Sequence, residues 1–291
     1  MEPTLSPSRA ADFLVCPLLY RFRTLDRLPE PPSAAAVRGT LVHAVLERVF
    51  DLPAPRRTAQ EAVQLVPSEW GRMLAEEPGL AEVVPADEQK EGAAPDGSGL
   101  ARWHADAARL VERWFTLEDP QHLEPLEREL YVEAPLPGLT LRGYVDRLDR
   151  APDGRLRVVD YKTGRSPSPS FEGPALFQLR FYALALWRST GVLPSRLQLV
   201  YLGDGVLLWS DPSEEEVLAT ERKVRALWQA IDLAGRTGDW RPRPSRACSW
   251  CSHRSVCPAW GGTPPPLPSA EGSAVVTTTQ VALELPGDRV P

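Results

Sequence analysis

Residues 127–163 hold three runs with strand patterning and only turn residues between them. They are 127–134 (ERELYVEA), 139–149 (LTLRGYVDRLD) and 156–163 (LRVVDYKT), parted at Pro137-Gly138 and at Ala151-Pro152-Asp153-Gly154. The simplest arrangement is a strand meander. A sheet has to bury a face, so the remaining chain must supply the cover, and it reads largely as helix.

A short helical segment (SPSRAADFLVCPLLYRFR) and a proline-rich turn around 28–33 come first. A helix then opens at Gly39-Thr40, with Thr40 as the expected N-cap and Leu41, Val42, Val45, Leu46 and Val49 at helical spacing. Residues 53–119 look helical but interrupted, with a loop at 89–98, and are expected to form an insertion or lid. After the meander come a helix over 174–189, a strand over 196–202, a turn at Gly203-Asp204-Gly205, a strand over 206–209 and a helix over 213–233. Residues 241–260 carry cysteines, and 261–291 have the composition of a disordered tail, although VALEL near the end could pair weakly.

With 291 residues, 43% apolar and 25% charged, the chain can bury a large core without disulfides. No apolar run approaches the roughly 18 residues of a membrane span. The N-terminus also lacks the basic and apolar regions of a signal peptide, so a cytoplasmic protein with no membrane partner is expected. The net charge of −6 argues against a protein that coats nucleic acid. That acidity is local, however: residues 61–100 carry nine Asp/Glu against two basic residues. In 236–254, by contrast, Arg236, Arg241, Arg243, Arg246 and Arg254 face Asp239 alone, so nothing there opposes a polyanion. Only three basic residues of 33 are lysines, which singles out Lys162.

Side chains alternate along a strand, so Asp160 and Lys162 project together from the end of 156–163, on the face of Leu156 and Val158. If the neighbouring strand brings Asp146 beside them, two carboxylates can hold a hard divalent cation and a lysine can orient or deprotonate a water. The same triplet also suits a plain Asp–Lys ion pair at a strand end. Glu129 lies on the preceding strand, but Glu127, Glu129 and Glu133 share one face as a solvated edge would, so it is only a weak candidate.

The succession GYVDRLD (143–149), DYKTG (160–164) and QLRFY (178–182), with His43 on an upstream helix, resembles the RecB-family nucleases of the PD-(D/E)XK superfamily. The likeness spans about residues 6–260. It implies an α/β fold with a restriction-endonuclease-like core: a mixed central sheet flanked by helices, within one domain over 1–260. It further implies Asp146, Asp160, His43 and the Tyr161 main-chain carbonyl as metal ligands, with Lys162 as the catalytic lysine. Gln178 and Tyr182 would hold the active-site strands or the DNA backbone. The metal would be Mg²⁺ or Mn²⁺, and an imidazole in an oxygen shell favours Mn²⁺.

Cys248, Cys251 and Cys257 form C-x₂-C-x₅-C, while Cys16 stands far upstream. In a cytosolic protein this spacing favours metal ligation over disulfides, and four thiolates suit tetrahedral zinc or an iron–sulfur cluster equally. Pro17 and Pro258 follow two of the cysteines, as is common beside iron–sulfur ligands. The arrangement is similar to that of a RecB-like subset with one cysteine before the histidine helix and three after the core. That likeness implies a 4Fe–4S cluster, with structural Zn²⁺ the alternative, closing 241–260 onto Cys16.

No G-x-x-x-x-G-K-[ST] occurs, so unwinding would need a helicase or repair partner. The resemblance implies a metal-dependent deoxyribonuclease, an exonuclease preferring single strands or free ends, in repair, recombination or a role like CRISPR adaptation. The competing expectations are a non-catalytic iron–sulfur DNA-binding or scaffold subunit of a helicase–nuclease complex, and a zinc-ribbon interaction protein. The intact set His43, Asp146, Asp160 and Lys162 speaks against both.

Overall fold

Every predicted strand forms in the computed structural model, which describes residues 3–84, 98–168 and 172–267. The strands are β1 (Thr4–Leu5), β2 (Pro125–Leu136), β3 (Leu139–Arg150), β4 (Leu156–Lys162), β5 (Arg196–Tyr201) and β6 (Val206–Ser210). The helices are α1 (Pro7–Val15), α2 (Pro17–Tyr20), α3 (Ala34–Val49), α4 (Ala59–Glu76), α5 (Ser98–Trp114), α6 (Glu172–Thr190) and α7 (Glu214–Thr237). The loop expected at 89–98 lies outside the described residues up to 97, as does the tail beyond 267.

The sheet is mixed. β2 and β4 pair antiparallel with β3, β5 lies parallel to β4, and β6 closes the far edge antiparallel to β5. The two-residue β1 is too short for a periodicity to reveal, and it pairs parallel with β3 through Thr140 and Leu141. One edge of β3 is therefore shared: β1 takes Thr140–Leu141, β4 takes Arg147–Arg150, and among the described residues no strand pairs with 142–146 on that side.

Both faces of the sheet are buried. Leu156 and Val158 of β4, with Leu197 and Leu199 of β5, pack among residues of α1, α2, α6 and α7. Val159 and Tyr161, with Val200 and Leu202, pack against α3, α4 and α5, where Leu41, Val45, Trp70, Trp103 and Trp114 lie. Within 53–119, α4 and α5 complete one of the two covering layers.

The histidine helix starts earlier than Thr40 suggests. Ser33 is its N-cap, accepting from Ala36 N, and the run Ala34-Ala35-Ala36 propagates the helix at little cost. Thr40 lies inside it and donates its hydroxyl to Ala36 O. At the other end of the chain, α7 opens on a capping box formed by Ser213 and Glu216.

Candidate active site

The opening in the β3–β4 ladder is where the polar residues gather. The Tyr161 N–H, which no β3 carbonyl meets, donates to Asp146 Oδ2 at 2.7 Å. His43, on α3, brings Nδ1 to 3.4 Å from the same oxygen. As alternation requires, Asp160 and Lys162 emerge on the α6 side, with Lys162 Nζ 2.6 Å from Asp160 Oδ2. Gln178 of α6 ties the two together: its Nε2 donates to Asp160 Oδ1 (2.9 Å) and its Oε1 accepts from Lys162 Nζ (3.1 Å).

Tyr182 stands one turn beyond Gln178, nearly buried against β3. Its seat exists because residue 143 is glycine, where a Cβ would lie 2.8 Å from Tyr182 Cε1. Gly143→Ala should therefore displace the ring and cost about 1–3 kcal/mol of stability, read by urea unfolding. An unchanged unfolding midpoint would show that the ring is not seated there.

Glu129 departs from the expectation of a solvated edge. It stands across from Asp146, between the register pairs Arg128–Arg147 and Leu130–Val145, and its backbone is left-handed with φ 46°. Side-chain alternation changes phase at this point. Strict alternation would put Val145 and Arg147 on one face, yet Val145 packs in the α6-side core while Arg147 reaches Tyr161 and Glu118 on the other. Part of the Glu129 side chain is exposed, but its carboxylate turns inward. Ligand atoms of His43, Glu129 and Asp146 all lie within 4.8 Å of one another. A left-handed, non-glycine residue is a turn signal or a strained site, and no motif reports it.

Electrostatically, carboxylates outnumber cations in the site. Burial and the Asp146, Glu47 and Asp160 charges push the Glu129 carboxyl up to about 7. Burial and Asp146 likewise raise the Asp160 carboxyl, and Lys162 offsets them only in part. The buried Asp160 Oδ2 is met by the Lys162 ammonium. Carboxylates crowded together with one imidazole and a single nearby ammonium are a donor set that fits a hard divalent cation. They border a solvent-open cleft of about 710 Å³ whose walls include Gly39, Thr40, His43, Glu129, Lys162 and Tyr201.

A second constellation lies at the chain ends. Cys16, Cys248, Cys251 and Cys257 line one small cavity whose other walls are largely apolar. Arg243 N donates to Cys16 Sγ and Ser245 N to Cys248 Sγ, both at 3.3 Å. Around them the two ends of the chain hold each other. Nearly buried His253 has Nε2 2.6 Å from Glu30 Oε1, and Tyr20 stacks on Trp240 with centroids 5.8 Å apart.

The structure is a mixed sheet between helical layers with D-x-K at the opening of its ladder, and a family model matches it. The model for the PD-(D/E)XK nuclease superfamily matches residues 4–258, and the chain belongs to that superfamily. It is 29% identical over 204 residues to the Gene 69 protein of Mycobacterium phage D29, covering 65% of this chain and 71% of that one. To the Gene 69 protein of Mycobacterium phage L5 it is 23% identical over 291 residues, covering 89% and 97%. Its fold is similar to the crystal structure of a protein from Eubacterium rectale named as a candidate exonuclease. There the TM-score is 0.53 at 14% identity, over 86% of this chain and 88% of that one. Among the described residues, no helix is long and apolar enough to cross a membrane.

Proposed function

We propose that this nuclease is a divalent-metal-dependent deoxyribonuclease, acting as an exonuclease on single-stranded DNA or free DNA ends in repair, recombination or an adaptation-like pathway. The observation that carries the reading is the convergence of His43, Glu129 and Asp146 next to the Asp160–Lys162–Gln178 triad. His43, Glu129 and Asp146 would hold Mg²⁺ or Mn²⁺, with Asp160 and the Tyr161 carbonyl as further ligands by family likeness. The cation would supply charge to the phosphodiester and acidify the attacking water.

The chain's own groups do the rest. Asp160 and Gln178 hold the Lys162 ammonium at the strand end, where it orients the water and stabilises charge developing on the phosphate. Tyr182, in hydrogen-bond contact with Gln178 from the next turn of α6, would help keep it in place. With no P-loop in the sequence, a duplex would have to be opened by a separate helicase or repair subunit. The test is metal-dependent cleavage of end-labelled and circular DNA, single- and double-stranded. Release of mononucleotides from linear strands only is expected, and no cleavage with either metal overturns the reading.

Proton linkage offers an independent check. Burial and neighbouring carboxylates push the Glu129 carboxyl up to about 7 and raise that of Asp160 as well, so below that pH the cation must displace protons. Mn²⁺ affinity should therefore rise with pH through about 7 and flatten above it, with proton release seen by calorimetry in buffers of different ionisation enthalpy. The sign is opposite for the metal-free fold: a carboxyl raised above its ordinary value makes stability fall as pH rises from about 4.5 to about 7. Mn²⁺ affinity independent of pH would remove Glu129 from the ligand set.

The cysteine quartet is assigned to a 4Fe–4S cluster in the same reading. All four thiols line one cavity, as ligands of a single shared cofactor would.

A further inference from the structure

Arg147 follows Asp146 directly, yet it is buried away from the cleft, with its side chain 1% exposed. Its guanidinium makes a bidentate pair with Glu118, Nη1 to Oε2 at 2.8 Å and Nη2 to Oε1 at 2.7 Å. Nε donates to Asp149 Oδ1 at 2.9 Å, and Nη1 also reaches the Tyr161 hydroxyl. Glu118 lies just beyond α5 and is itself held by Trp114 Nε1 (2.7 Å) and Gln198 Nε2 (3.2 Å). Arg157 neutralises the second carboxylate through Asp149 Oδ2 at 2.7 Å. Every member has a partner, as a buried ionic group requires.

Tyr161 is where this network meets the cleft. Its hydroxyl is gripped by Arg147, its ring packs edge-on against His43 (centroids 5.9 Å) and Trp114 (6.1 Å), and its N–H holds Asp146 Oδ2. Moving the ring would therefore move the donor to one candidate ligand and the wall behind another. We propose that the Glu118–Arg147 pair is a positioning element. Through Tyr161, it sets the Asp146 carboxylate and the His43 imidazole in the geometry that binds the cation. The helical layer containing α5 is then a working part of the site rather than a lid over it. This rests on the metal-centre reading above.

The test is Mn²⁺ binding to purified full-length protein, by calorimetry or electron paramagnetic resonance, with no substrate present. Tyr161→Phe keeps the ring and deletes only the hydroxyl; Glu118→Gln keeps the shape and weakens the grip on Arg147. Each should bind Mn²⁺ about 10-fold or more weakly, the usual scale for losing a group that orients a ligand. Lowered thermal stability with wild-type Mn²⁺ affinity in either folded variant would make the network merely structural and overturn the proposal. If one variant fails to fold, the other decides. Wild-type protein that binds no Mn²⁺ would overturn the metal centre itself, and this proposal with it.

Discussion

Lys162→Ala should slow DNA cleavage by about 10³-fold with little loss of DNA affinity, the scale on which one transition-state donor or proton-transfer group contributes. The reason is local. Lys162 is not buried in a core ion pair; its side chain is 32% exposed at the cleft, and Asp160 and Gln178 hold its ammonium there. Removing it leaves the strand pairing of β4 with β5 intact, since that ladder uses main-chain groups. Asp146→Ala should abolish cleavage outright. It deletes a candidate ligand and the acceptor of the Tyr161 N–H, yet the fold should survive because, among the described residues, 142–146 have no strand partner on the β4 side. Single-turnover cleavage with Mg²⁺ and Mn²⁺, beside DNA binding in a chelator, measures both effects. Lys162→Ala cleaving at the wild-type rate would show that catalysis lies elsewhere.

Replacing any one of Cys16, Cys248, Cys251 or Cys257 by Ala should bleach the protein and destabilise it by about 5 kcal/mol, the chain-entropy scale of a cross-link closing a loop this long. The four changes should do similar damage, because one cofactor bonded to all four cysteines of this cavity would tie the N-terminal segment to 241–260. Anaerobically purified protein should be brown, with about four iron and four sulfide per chain. The contacts of His253 with Glu30 and of Tyr20 with Trp240 would remain, so the sheet should outlast the clasp on exposure to air. Colourless protein with one zinc and no sulfide would overturn the cluster and keep the ligands. Full metal content in Cys16→Ala would remove Cys16 from the set.

Much of this molecule is legible in local periodicity. The meander, the shared face of Asp160 and Lys162, and the i, i+4 placement of Gln178 and Tyr182 depend only on neighbours in the chain, where strand and helix periods dictate direction. The D-x-K strand therefore reads correctly from one line of residues. Glu129 and Arg147 do not. Alternation along β2 assigns Glu129 to a solvated edge, and a left-handed residue facing Asp146 reverses that, because the strand changes phase there. Arg147 sits in the GYVDRLD run beside a candidate ligand, but its partner Glu118 arrives from just beyond α5. Likewise, 53–119 reads as an interrupted insertion until α4 and α5 are seen to cover a face of the sheet that a single-faced meander would leave wet. Short-range spacing settles which residues face together on one element. Only the packing of distant elements settles which carboxylates meet across the opening in the ladder, and what holds them from behind.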